Sequence, residues 1–599
     1  MQEILIIAEK EEAGKRIASA FGDIQEFKQN GVTFFSVRCV SVKYGEMELY
    51  VVPARGHLYT VKLKGIRGIT LNELPITEIE WRPYRNSQER IRVFRSFRKN
   101  VDEIVIATDF DREGEVIGFN VVKNVFRTED FTRMYFNALL PTYILDAFQK
   151  RGKINETLLA QGIARNLADS IIGLNITKAL TLRFKENYPD VIQAFSMGRV
   201  QSPLLRYVVS KFRADIIIKD PEAYENSDIN EDTYIIINGH WINTWEHLIE
   251  GDGVIQEKRK ITEKVQQREY LYNTDAIMSK IRELKPTSIM SAMESLYLKG
   301  YLTYPRTKSR WIPQEMVDEL YNALKNYIDI PLDKDNVLVG ESEAGKTAIV
   351  LTPLGIQAYF SGEIKSDERI VATYVLKRMI QFFAPDIELE KEIIVIKDSE
   401  ENTAEIEWNV KVKNPDAVIF TSVSDIERGE INIGEKVKII KIRDQKKKTT
   451  YYRRIEDIVR TITDSDMVKW MTWNNIGTEA TRSEFPNVLR SRKYITDENI
   501  PTILGETVSK IIEKIGITTD LTALMEKRID ETKTRNDIPQ FRKWITRITT
   551  DFIDKLKALS NEYFIFKCPK GHNIQLTQYG RGGVIVAYCP QCNSRYRFV

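Results

Sequence analysis

Along the chain, apolar positions switch repeatedly between the spacing of strands and that of helices. The apolar run 4–8 ends in Glu9, Lys10, Glu11 and Glu12, and apolar residues then recur at helical spacing through EEAGKRIASAF, so strand, turn and amphipathic helix are predicted in that order. A second apolar run, 104–107, leads through Thr108 into the acidic segment DFDREGE, after which helical spacing resumes. Residues 1–150 are therefore expected to form an open α/β layer. Helical periodicity dominates 151–212. Over 213–285 IIIKD, TYIIIN and REYLY read as strands between acidic and Asn-rich turns. Helices are predicted again over 286–387, strands over 388–454, where EIIVIKD and VKIIKIRD lie, and helices over 455–560. Two β-rich stretches on either side of a helical block suggest one arch that the chain enters and leaves. The expected fold is thus multidomain, α/β plus α plus β.

Composition narrows the class. A chain of 599 residues should hold roughly three to five domains. With 42% hydrophobic and 29% charged residues it can bury a large core, which argues against wholesale disorder. A net charge of +3 is too small to diagnose a nucleic-acid partner by itself. The run 4–8 is too short for a signal peptide, and no apolar stretch approaches a membrane span, so a cytoplasmic protein without a membrane partner is expected. Four cysteines, three of them after Lys567, point to a reducing compartment and to metal rather than disulfides. Cys39 stands alone and reads as a core thiol.

The candidate chemistry begins at DFDREGE. Asp109, Asp111 and Glu113 alternate beyond a strand end, and they share a face if the chain stays extended. Carboxylates so placed repel one another unless a divalent cation or a basic cluster sits among them. A solvated acidic turn is the ordinary alternative, but the apolar strand aims this cluster at a sheet end, where α/β proteins bind ligands. Glu9 ends the first strand and could join the cluster. The four together could hold Mg²⁺ and leave one group protonated as an acid. Lys10 could meet a phosphate, and Glu115 is read as structural. A second signal is LTYPRT, preceded by MESLYLKG: a tyrosine oxygen at Tyr304 can act as a nucleophile, and Arg306 can stabilise charge developing on phosphorus. Most tyrosines are structural, so Tyr304 gains meaning only from these neighbours.

Two further patterns need weighing. Residues 340–347, GESEAGKT, fit a phosphate-binding loop, but Glu341 and Glu343 would face the phosphates. The following AIVLTPLG is β-branched and stopped by Pro353, a poor phosphate-binding helix. At the C-terminus Cys568, His572, Cys589 and Cys592 form two short pairs that match a tetrahedral Zn²⁺ site, with three incidental thiols as the alternative. The tail around them carries Lys567, Lys570, Arg581, Arg595 and Arg597 interleaved with Phe566, Tyr579, Tyr588, Tyr596 and Phe598, a composition suited to single-stranded DNA. Some of those aromatics are needed for the ribbon's own core. The run Lys446, Lys447 and Lys448, with Tyr451 and Tyr452, reads as a solvated turn.

DFDREGE after a strand, AEK at the N-terminus and LTYPRT after a helix together resemble the type IA DNA topoisomerases, most closely the topoisomerase III branch. RNLADSIIG from Arg165, GRVQSP from Gly198, IGTEATR from Ile476 with Glu479 in place of proline, and TALME from Thr522 follow in the family's order. The resemblance implies a toroid, with a Toprim domain over 1–150, a helical groove domain over 151–212 and 455–560, and a β-rich arch over 213–285 and 388–454. A tyrosine domain over 286–387 and a zinc ribbon over 561–599 complete it. It also implies that Tyr304 attacks a DNA phosphate to give a 5′-phosphotyrosine, with Glu9 as general acid, and Lys10 and Arg306 on the scissile phosphate. Asp109, Asp111 and Glu113 would hold Mg²⁺. His57, Arg165, Asp169, Arg199 and Gln201 would serve the single-strand groove, and religation would need no ATP. The implied substrate is single-stranded and negatively supercoiled DNA, acted on by a nucleoid-associated monomer that relaxes or decatenates. A subunit working with a separate helicase, or a non-cleaving Toprim single-strand-binding protein, are the alternatives. Lys346 stands where the family usually has a histidine, and Lys308 where many members carry an acid.

Overall fold

The computed structural model describes residues 1–41, 45–190, 194–212, 216–219, 230–335, 337–340, 346–444, 452–455, 462–479, 481–568, 570–578 and 585–597. Lys446, Lys447, Lys448, Tyr451, Tyr579, Arg581 and Phe598 lie outside these residues, as do Asp220 and residues 341–345 of the GESEAGKT segment.

β1 (Gln2–Ala8) is apolar from Ile4 to Ala8 because that part is covered on both faces, as parallel central strands are. It lies parallel between β4 (Gly45–Pro53) and β7 (Glu103–Ala107), and Ala8 is in register with Ala107. With β2 (Gln25–Gln29), β3 (Val32–Ser41) and β8 (Thr132–Arg133), the strand order among the described residues is β2-β3-β4-β1-β7-β8. β5 (Tyr59–Leu63) and β6 (Ile79–Pro83) make a separate ribbon. One face of the sheet is covered by α1 (Glu11–Ser19) and α4 (Pro141–Gln149) through Ile17, Ile144 and Phe148. The other face is covered by α2 (Gln88–Ser96) and α3 (Arg112–Val121) through Ile91, Phe94 and Ile117. Register therefore brings Glu9, which follows β1, and Asp109, which follows β7, to one sheet edge.

Glu115 is structural, as its sequence context suggests. Its carboxylate pairs with Arg133 at 3.3 Å, both side chains fully enclosed, and Arg133 also donates to the carbonyls of Met134 at 2.7 Å and Asp109 at 2.9 Å. The backbone that carries the acidic cluster is thus fixed from beneath.

The 32-residue helix α5 (Glu156–Asn187) starts at Asn155, whose side chain accepts from Leu158 N–H at 3.0 Å. After α6 (Gln201–Phe212) come β9 (Ile216–Lys219), β10 (Asn230–Ile237), β11 (His240–Thr244) and β12 (Gly251–Val265). A block follows with α7 (Thr274–Lys280), α8 (Pro286–Leu298), α9 (Gln314–Lys325), α10 (Pro353–Phe360) and α11 (Ser366–Phe382). The chain then returns through β13 (Ile387–Lys397), β14 (Thr403–Val412), β15 (Lys436–Asp444) and β16 (Tyr452–Ile455). Both β-rich stretches enter one antiparallel sheet of order β11-β10-β15-β12-β13-β14, with Trp408 fully buried in its core. β9 and β16, where the chain enters and leaves, pair with each other.

Two local expectations change. REYLY is not a strand: only Tyr272 forms a bridge, with Ile349. The long β12 went unrecognised because most of its residues are exposed and charged, and it is held by cross-strand pairs such as Lys258–Glu392 and Arg259–Glu405 rather than by apolar alternation. Ile349 and Leu351 form extended bridges directly after Lys346 and Thr347, so no helix opens where a phosphate-binding loop requires one.

The chain continues through α12 (Asp464–Trp473), α13 (Phe485–Ser491), α14 (Ile503–Ile515), α15 (Thr519–Glu531) and α16 (Ile538–Ala558), and α16 packs along α5. β17 (Gln575–Gln578), β18 (Ile585–Cys589) and β19 (Ser594–Arg597) close it as a small antiparallel sheet. Phe566 belongs to the core rather than to a DNA-facing surface. Its ring stacks on Phe184 of α5 at 4.9 Å, and Tyr188 Oη accepts from its N–H at 2.9 Å while donating to Ile574 O at 3.2 Å. Phe566→Ala should cost about 3–5 kcal/mol at this junction. Limited proteolysis should then release the C-terminal sheet well before the rest of the chain, whereas the unmodified protein should be cut there no faster than elsewhere.

Candidate active site

Three carboxylates are buried where β1 and β7 end: Glu9 is 7%, Asp109 2% and Asp111 8% exposed. Glu9 Oε2 accepts from Asp109 N–H at 3.2 Å. Burial first, then the charges of Asp109 and Asp111, push the Glu9 carboxyl well above the usual carboxylate range, which favours its protonated form. Lys10 Nζ lies 3.4 Å from Asp109 Oδ2. Asp111 caps α3 by accepting from Gly114 N–H at 2.8 Å. Gly114 is required there, because a Cβ would stand 2.1 Å from the Asp109 carbonyl oxygen.

This turn alters the predicted carboxylate trio. The chain does not stay extended: α3 begins at Arg112, so Glu113 lies in a helical first turn rather than on the face of Asp109 and Asp111. Its Oε2 lies 2.7 Å from His57 Nε2, and its Oε1 3.6 Å from an Arg165 guanidinium nitrogen.

Tyr304 reaches the carboxylates from a distant part of the chain. α8 ends in a turn at Gly300, φ +71°, where the chain packs against Leu139 O. The following segment is held extended by Thr303 N–H on Val350 O at 3.0 Å and Tyr304 N–H on Asn137 O at 2.7 Å. The Tyr304 ring meets Tyr297 edge-on at 5.3 Å, and its hydroxyl donates to Asp111 Oδ2 at 2.5 Å. Burial, then Asp111 and Asp109, raise the Tyr304 hydroxyl well above its ordinary range, so it stands as a neutral donor. Burial would raise Asp111 too, but Arg306 and Lys346 outweigh it and bring that carboxyl down to about 2. Arg306 lies 3.9 Å from Asp111 and bonds Glu294 Oε1. Lys346 Nζ donates to Arg306 O at 3.1 Å and lies 5.6 Å from the centre of the Tyr304 ring.

Beside this cluster opens a cavity of about 320 Å³ whose wall includes Asp111, Glu113, Arg165, Arg306, Lys308 and Lys346. Arg165 bonds Thr478 Oγ1 at 2.9 Å and Thr481 Oγ1 at 3.2 Å. Asp169 accepts from Arg199 Nε at 2.6 Å, and Arg199 also holds Glu526 at 2.5 Å. Arg199 and Gln201 point inward: Arg199 is 2% exposed, and the Gln201 amide donates to Ser196 O at 2.8 Å and Ser196 Oγ at 2.9 Å. In this structure they brace the wall rather than present themselves at its surface. Lys308 and Glu479, both departures from the family pattern, face each other at 3.8 Å. Glu294 was not singled out in the sequence. Its one signal was helical spacing from Tyr297 within MESLYLKG.

At the C-terminus the ligand atoms of Cys568, His572, Cys589 and Cys592 lie within 4.8 Å of one another. Cys568 Sγ and Cys592 Sγ are 3.8 Å apart, too far for a disulfide, and His572 Nδ1 is 3.1 Å from Cys592 Sγ. Bonds of about 2.3 Å to a tetrahedral zinc would space sulfurs by roughly 3.8 Å, so this donor set fits that ion.

Comparison with known proteins agrees with this geometry. Residues 4–139 match the family described as Toprim domain, and residues 153–537, more than half the chain, match the family described as DNA topoisomerase. The chain belongs to the type IA DNA topoisomerases. A DNA topoisomerase 1 of Archaeoglobus fulgidus is 26% identical over 88% of this chain and 80% of its own length. One of Pyrococcus horikoshii is 25% identical over 99% and 93%. A DNA topoisomerase 3 of Staphylococcus epidermidis is 29% identical over 54% and 45%. The solved full-length topoisomerase I of Thermotoga maritima shares the fold, with a TM-score of 0.62 at 17% identity over 99% of this chain and 98% of that one. As a topoisomerase the chain is an enzyme whose substrate is DNA, and it acts by strand cleavage and passage. Among the described residues no helix is long and apolar enough to cross a membrane.

In this topoisomerase the Gly114 turn sets the carboxylate positions. Gly114→Ala should destabilise the N-terminal layer by about 1–3 kcal/mol and abolish DNA cleavage, read as loss of covalent adduct by a protein that retains its helical circular-dichroism signal.

Proposed function

We propose that Tyr304 is the nucleophile of a transient single-strand break and that the buried carboxylates at the sheet edge manage its protons and charge. The observation that carries this reading is the Tyr304 hydroxyl bonded to Asp111 within a cluster that also contains a proton-retaining Glu9 and the cations Lys10 and Arg306. In the step, the Tyr304 oxygen bonds to phosphorus and its proton passes to water, while Asp111 orients the hydroxyl through their hydrogen bond. The 3′-oxygen departs and takes the proton of Glu9. Lys10 and Arg306 hold the non-bridging phosphate oxygens, and Lys346 adds positive charge beside the phenol ring. Religation runs the same transfers backwards. The phosphodiester energy stays in the covalent link, so ATP has no part.

Asp109 and Asp111, with Glu113 close by, offer the hard oxygen donors suited to Mg²⁺, and their mutual repulsion favours a cation there. Bound there, Mg²⁺ would compensate charge and orient the phosphate. Glu113, engaged by His57 and Arg165, suits an outer position that tunes its neighbours. Cys568, His572, Cys589 and Cys592 would hold a structural Zn²⁺ that stiffens the C-terminal sheet.

With labelled single-stranded oligonucleotide and Mg²⁺, a detergent quench should trap a covalent adduct with the wild-type protein and none with Tyr304→Phe. Adduct at the wild-type level in that variant would remove Tyr304 from the role. Metal analysis should find about one zinc per chain, lost in a Cys589→Ser, Cys592→Ser double variant. Zinc retained by that variant would assign the metal elsewhere.

A further inference from the structure

Glu294 stands between the two cations assigned above to the scissile phosphate. One oxygen of its carboxylate bonds the Arg306 guanidinium and the other lies 4.0 Å from Lys10 Nζ. The three groups come from separate places: Lys10 from the end of β1, Glu294 from α8, and Arg306 from the segment beyond Tyr304. Among the described residues the carboxylate of Glu294 makes no ion pair besides these two. We infer that Glu294 is a resident oxyanion, a stand-in for the scissile phosphate, which the DNA backbone must displace to reach Tyr304.

Chemistry and exposure both point this way. A carboxylate and a phosphodiester present an arginine fork with the same pair of acceptor oxygens. A bracing ion pair in this protein looks different: Glu115 and Arg133 are wholly enclosed and anchored to backbone carbonyls. Glu294, Arg306 and Lys10 keep 26%, 22% and 29% of their side chains exposed, so solvent and an incoming anion can reach all three. The other anions facing these cations are Asp109 on Lys10 and Asp111 on Arg306, and both are deeper in the pocket. Glu294 therefore keeps two like charges aimed at one point without leaving them unbalanced. DNA binding then becomes an exchange of one anion for another, which raises the barrier to capture of stray anions and lowers the affinity for DNA at this one point.

The inference rests on the reading that Lys10 and Arg306 take the phosphate, and the experiment separates the two. In a Tyr304→Phe background, with chelator present to remove divalent metal, single-stranded oligonucleotide binding is followed by fluorescence anisotropy at fixed salt. Glu294→Gln should tighten binding by about three- to fivefold with an unchanged melting temperature. The gain should vanish when Lys10→Ala and Arg306→Ala are also present. Unchanged or weaker binding by Glu294→Gln overturns the inference. So does an equal gain without the two cations, which would mark simple long-range repulsion of DNA. If Lys10→Ala and Arg306→Ala do not themselves weaken binding, the phosphate assignment fails instead. Should the Gln variant melt early, Glu294→Ala in the same assay gives the decision.

Discussion

Negative charge concentrated at the ends of β1 and β7 has to be compensated, and much of the site is built to do so. Parallel pairing of these strands forces Glu9 and Asp109 together, and the start of α3 adds Asp111 within the same enclosure. Ionising all three away from water would be prohibitive without positive charge nearby. The protein answers with a retained proton on Glu9, with Lys10 on Asp109, and with Arg306 and Lys346 around Asp111. In the proposed mechanism each answer is also put to use: the proton favoured on Glu9 serves as the acid, and the paired cations exchange a carboxylate for the phosphate. Tyr304 enters this balance as a neutral donor, because burial and the nearby charges of Asp111 and Asp109 oppose its ionisation.

The parts legible in the sequence are those where local pattern and tertiary role coincide. β1 and β7 were readable because their buried parts, Ile4 to Ala8 and Ile104 to Ala107, are uninterrupted apolar runs. Two β-rich stretches separated by helices did turn out to share one six-stranded sheet, and β9 and β16 pair in a separate ribbon. The short Cys and His spacings at the C-terminus converge as expected. What escaped was set by local capping or by contacts between distant segments. Glu113 leaves its predicted partners because α3 starts at Arg112, a capping decision that alternation of acidic residues does not encode. β12 hides behind charged cross-strand pairs. Glu294 looks like any exposed helical acid until α8 is packed against Lys10.

The motifs also act on one another. Thr478 and Thr481 hold Arg165, Glu526 holds both Arg199 and the N–H of Gly477, and Asp169 shares Arg199. Four sequence segments thus position one guanidinium, that of Arg165, at the cavity wall. The inward set of Arg199 and Gln201 follows from this: Arg199 spends Nε on Asp169 and Nη1 on Glu526, and the Gln201 amide nitrogen is spent on Ser196. A residue in such a mesh is sensitive to substitution even when it never approaches a nucleotide.

Lys308 and Glu479 belong to that wall too, and they bear on how such a protein can change. Each departs from the family's usual residue, and the two departures meet as opposite charges across a cavity that also contains Lys346. Glu479 also lies 3.7 Å from Arg482, so a neutral residue at Lys308 would leave it with one cation and an acid there would crowd it with a like charge. The lining of this wall therefore behaves as one electrostatic surface, and segments that read as separate signatures along the chain are its panels.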